Sequence, residues 1–147
     1  MMINIDIEQN KQLEEVIFGG THYNIDFSDE KQKQYAAAFE KIGKKLEKVI
    51  KEYDDLAADE KATGDVLAKK SIDLIETQRD GSIQFLDLIF GKGEGQKIYE
   101  KCGKSTEYLR DKTEELATAL SLKRDSERKE RLKAIKSKYI HYHRNKR

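Results

Sequence analysis

Seven large apolar residues, Tyr35, Phe39, Ile42, Leu46, Val49, Tyr53 and Leu56, recur at alternating intervals of four and three. Such spacing forms one continuous stripe only on a helix, with Lys44, Lys45, Glu47, Lys48, Lys51 and Glu52 left on the opposite face. It predicts a helix from about Asp29 to Asp55. Ser28 supplies a capping hydroxyl, and Asp29 and Glu30 lie in the first turn, where acids suit the helix dipole. The stripe is narrow, as in a bundle or a coiled-coil seam. The absence of proline and the presence of only nine glycines favour further long helices. A length of 147 residues fits one domain.

The densest apolar block runs from Ile83 to Phe90 and stops at Gly91-Lys92-Gly93-Glu94-Gly95. It ends a second helical pattern through Val66, Leu67, Ile72, Ile75, Leu86 and Ile89. A lone glycine within a helix costs only about 1 kcal/mol, so Gly81 is expected to leave that helix continuous or merely kinked. The glycine cluster reads as a sharp corner between helices, with Gly91 as a left-handed cap. A short helix then covers Gln96 to Lys101, and Ser105 caps another with Leu109, Leu116 and Leu120 along it. From Lys123 onward, Leu132, Ile135, Tyr139 and Tyr142 keep helical spacing on a helix expected to project beyond the domain and fray near His143.

Near the start, Ile3, Ile5 and Ile7 alternate with Asn4, Asp6 and Glu8, the period of a half-buried strand. Leu13 to Phe18 and Thr21 to Phe27 flank Gly19-Gly20, the pattern of a hairpin with a tight primed turn. The fold class expected is therefore mainly α, a helical domain over 1–122 with a small N-terminal β-hairpin and a projecting basic C-terminal helix over 123–147.

A net charge of +1 conceals an asymmetry. Residues 123–147 hold eleven Lys and Arg against three Asp and Glu, a net of +8, while the preceding residues carry −7. Such a tail has three readings: a solvated helix, a surface for a protein partner, or a nucleic-acid contact in which cations hold phosphates and tyrosines stack bases. The acidic body opposes the last. A single cysteine, Cys102, excludes an internal disulfide and a Cys-rich zinc site. The beginning of the sequence lacks the pattern of a signal peptide, and no apolar run approaches membrane-spanning length.

No residue set points to chemistry. The glycines at 91, 93 and 95 lack the Lys-Ser/Thr of a phosphate loop and the preceding strand of a dinucleotide fold. His141 and His143 stand two apart, so they point in different directions on a helix. Cys102 has no evident histidine base. Catalytic, metal-ligating and cofactor-binding residues are accordingly expected to be absent. The residues assigned to partner binding are Phe85, Leu86, Ile89, Phe90, Leu132, Ile135, Tyr139 and Tyr142.

Two segments carry a family resemblance: Gly20-Thr21-His22-Tyr23-Asn24-Ile25-Asp26-Phe27 before the long amphipathic helix, and Phe85-Leu86-Asp87-Leu88-Ile89-Phe90-Gly91 with Lys97-Ile98-Tyr99-Glu100 behind it. Together with a Lys/Arg-rich C-terminus, they resemble the tail assembly chaperones of siphophages and prophages of Gram-positive bacteria. The chain departs from that pattern in its three corner glycines and at Thr21-His22. The resemblance implies a non-enzymatic scaffold that binds the tape-measure protein, keeps it soluble and helps recruit the major tail protein. It implies action in the host bacterial cytoplasm and absence from the mature virion. A homo-oligomer is also expected, with no membrane association. The alternatives are a small nucleic-acid-binding or regulatory phage protein acting through the basic helix, and a plain coiled-coil structural protein.

Overall fold

Gly19 and Gly20, with φ of +58° and +81°, turn the chain between β1 (Leu13–Phe18) and β2 (Thr21–Asp26). Two consecutive positive φ values match the tight turn that follows the twist of paired strands. The computed structural model describes residues 2–145, with side chains up to Ile140. The strands pair antiparallel, so Glu14, Val16 and Phe18 share one face with Ile25, Tyr23 and Thr21. That face turns inward: Tyr23, Ile25 and Glu14 are buried, whereas Ile17 on the outer face is exposed. The expected strand at Ile3, Ile5 and Ile7 does not form. These residues are irregular and exposed, Ile7 by 91%, because among the described residues no strand pairs with them.

Among the described residues four helices follow: α1 (Asp29–Ala57), α2 (Gly64–Phe90), α3 (Glu94–Lys101) and α4 (Thr106–Asn145). The mainly helical fold with an N-terminal hairpin and a long C-terminal helix is as the sequence predicts. Ser28 precedes α1, but its hydroxyl makes no capping bond. Gln32 N–H instead donates to the Ser28 carbonyl at 2.9 Å, and the Gln32 side chain donates to the Phe27 carbonyl at 2.6 Å. Thr63 and Ser105 do cap with their side chains, accepting from Val66 N–H at 3.4 Å and Tyr108 N–H at 3.2 Å.

The chain forms two compact units, Met1–Arg110 and Asp111–Arg147. In the first, α1 and α2 pack as an antiparallel helical hairpin. Phe39 meets Phe85 edge-on at 5.8 Å, Ile42 meets Gly81, and Glu52 pairs with Lys70, so contacts step in opposite directions along the two helices. Gly81 leaves α2 unbroken, and its role is contact: a Cβ there would lie 2.7 Å from Ile42 Cγ2. Val49, Leu86, Ile89, Ile98 and Leu109 are buried with the inner face of the sheet. In the second unit Leu116 is buried, and α4 continues without interruption past residue 122. Among the described residues no helix is long and apolar enough to cross a membrane.

Candidate partner-binding surfaces

The β-hairpin docks on the corner between α2 and α3. Tyr23 stacks on Phe90 with ring centroids 4.0 Å apart and planes 17° from parallel, and Phe18 lies against the same ring at 5.6 Å. The Tyr23 hydroxyl donates to Glu94 Oε2 at 2.8 Å. Lys101, at the end of α3, donates through Nζ to the Gly19 carbonyl at 2.9 Å and to Thr21 Oγ1 at 3.1 Å, which fixes the hairpin turn. Burial, then the bond to Glu94, pushes the Tyr23 phenol above its ordinary range. The same bond, helped by Lys97, holds the Glu94 carboxyl below the usual carboxylate range.

The corner itself depends on three glycines. Gly91 closes α2 with φ +124° and ψ +153°, so the expected left-handed cap is corrected to an extended conformation that is likewise open essentially to glycine alone. The left-handed position is Gly93, at φ +88° and ψ −12°. Gly95 lies so close to α2 that a Cβ would run into the Ile83 carbonyl oxygen. Its N–H donates to Asp87 Oδ1 at 2.7 Å, which satisfies one of the donors that a helix start leaves unpaired. A second tie runs from β2 to α1: Tyr35 donates to the Asp26 carbonyl at 2.7 Å, with Phe27 edge-on to its ring at 6.2 Å. Burial, then the charge on Asp26, raises the Tyr35 phenol.

The eight residues assigned to partner binding fall into different environments. Leu86 is 0% exposed and Ile89 is buried, so both are corrected to core residues: the helix face they occupy is consumed within the first unit. Phe85 and Phe90 are half-buried, each engaged by another aromatic ring. Leu132 and Ile135 are 49% and 52% exposed, and Tyr139 is half-buried. Tyr142 lies outside the residues whose side chains are described. The first four thus belong to the first unit, and Leu132, Ile135 and Tyr139 to the second. Sequence reasoning assigned no contact role to Ile72 and Ile75, which expose 56% and 52% on α2. Their three-residue spacing was visible, but which side α1 would cover was not.

Among the described residues no group of three or more His, Cys, Asp or Glu is placed to hold a metal ion. The model of DUF6673, a family of unknown function, matches residues 19–147, from the hairpin turn to the C-terminus. The chain belongs to this family. No curated protein and no solved structure matches the chain. The matched span of DUF6673 includes both halves of the hairpin–corner contact that lie in β2 and α3, and all of α4.

Proposed function

We propose that the chain is a non-enzymatic tail assembly chaperone of a siphophage or prophage, which captures the tape-measure protein in the host cytoplasm, helps recruit the major tail protein and is absent from the finished virion. The observation that carries this reading is the number of large apolar side chains left in water. Phe39, Ile72 and Ile75 stand out on the helical hairpin, and Leu122, Leu132, Ile135 and Ile140 on α4. Contiguous apolar patches of several hundred Å² mark interaction sites on soluble proteins. The resemblance supplies the partner. Its two carrying segments also meet where Tyr23 stacks on Phe90, so they act as one structural unit rather than as two separate motifs.

Co-production with the tape-measure protein of the same phage or prophage tests the proposal. A soluble complex that co-purifies, with the tape-measure protein insoluble when made alone, is the expected result. A tape-measure protein that remains insoluble and unbound in the presence of this chain overturns it. Immunoblotting of lysate and purified virions tests the rest, since the chain should be found only in the lysate.

A further inference from the structure

The distal part of α4 has a charge layout that selects its occupant. Leu132, Ile135 and Tyr139 follow at intervals of three and four, one seam on a helix that turns about 100° per residue. Lys129 and Lys136 border it on one side, Arg131 and Lys138 on the other, and all four are exposed. Glu130 lies on the opposite face, 4.0 Å from Lys133, and Asp125 and Glu127 precede the seam. The two flanking rows are therefore uniformly cationic along the whole aliphatic stretch.

Flanking charges of this kind decide which helix can pair with a seam. A second copy would bring Lys and Arg against Lys and Arg across the contact, a like-charge arrangement that disfavours self-pairing. Nucleic acid would engage the cations but give Leu132 and Ile135 nothing to pack against. A helix with its own apolar residues at the same spacing and Asp or Glu along its flanks satisfies both. We propose that residues 129–139 of α4 are a docking surface for an amphipathic, acidic-flanked helix of another protein. This deepens the chaperone reading and rests on its need for a helical partner, but any protein carrying such a helix meets the requirement.

The test uses the full chain and two synthetic helical peptides of about three heptads with the same leucine seam, one flanked by Glu and the other by Lys. Labelled peptide is titrated with the chain and followed by fluorescence anisotropy, independently of any tape-measure protein. The Glu-flanked peptide should bind at least about tenfold more tightly than the Lys-flanked one, and binding should weaken as salt rises. Ile135→Asp should abolish binding. The double change Lys136→Glu with Lys138→Glu should reverse the preference between peptides, a gain that a misfolded variant cannot produce. Equal binding of the two peptides, or binding of neither, overturns the proposal. So does a dimer of the chain that Ile135→Asp dissolves, which would make a second copy the occupant. An oligo-dT strand that displaces the peptide and binds Ile135→Asp as well as the unaltered chain would assign the cations to nucleic acid instead.

Discussion

The hairpin–corner contact and the distal half of α4 both concentrate aromatic and aliphatic residues, but they use them oppositely. At the corner, the apolar groups are matched within the unit: Tyr23 on Phe90, Phe18 against the same ring, and Leu86 fully enclosed. Polar atoms there are matched as well, with Tyr23 on Glu94, Gly95 on Asp87 and Lys101 on the turn. On distal α4, Leu132 and Ile135 keep about half of their surface in water. The first region specifies a structure, and the second offers a surface. Counting apolar residues along the sequence cannot distinguish them.

Substitutions should separate the two regions by stability. Leu86→Ala should cost about 3 kcal/mol or more, since it removes a fully enclosed side chain and leaves a cavity. Urea unfolding followed by circular dichroism measures this. A loss comparable to that of a surface change would break the comparison at its strongest point.

Gly91→Val should cost about 2 kcal/mol, because its backbone conformation admits glycine almost alone. A midpoint within error of the unaltered chain would mean that the corner adjusts its torsions freely.

The Tyr23–Glu94 bond carries a smaller, pH-dependent effect. Because the folded state holds the Glu94 carboxyl below its ordinary value, its stabilisation is present above the unfolded value and is lost as pH falls through the folded one. Tyr23→Phe should therefore lower the urea midpoint at neutral pH and flatten its decline in acid. Parallel curves for the two proteins would show that the bond contributes nothing to stability.

The smallest expected effect sharpens the contrast most. Leu132→Ala and Ile135→Ala should each change stability by less than about 0.5 kcal/mol, as substitutions at exposed positions do. Thermal unfolding by circular dichroism checks them. A cost near that of Leu86→Ala would place these residues in a core.

What the sequence made legible was whatever a local signal could fix. The strict four-and-three spacing from Tyr35 to Leu56 placed α1 to within a couple of residues, Gly19-Gly20 marked the hairpin turn, and the run of glycines after Phe90 marked the corner. The distal seam was legible because one helix suffices to define it. The failures concern partners distant in sequence. Ile3, Ile5 and Ile7 have strand periodicity, but no strand among the described residues pairs with them. Leu86 and Leu132 are the same residue type at similar helical spacing, and only the packing of elements distant in sequence against α2 separates core from surface. Ser28 illustrates a subtler miss: the helix begins where a capping hydroxyl was expected, yet the backbone and Gln32 make the bonds.

The contact between Tyr23 and Glu94 joins residues 71 positions apart. Closing so long a loop in an unfolded chain is entropically costly, but the cost falls once α1 and α2 have folded back on one another. The order this implies is helical hairpin first and β-hairpin docking late. Loss of the Tyr23 hydroxyl should then accelerate unfolding while leaving the refolding rate nearly unchanged, a signature that stopped-flow measurements across denaturant concentrations would resolve. In that sense the stacked ring and its carboxylate act as a closing clasp: they govern how long the folded unit lasts more than how quickly it forms.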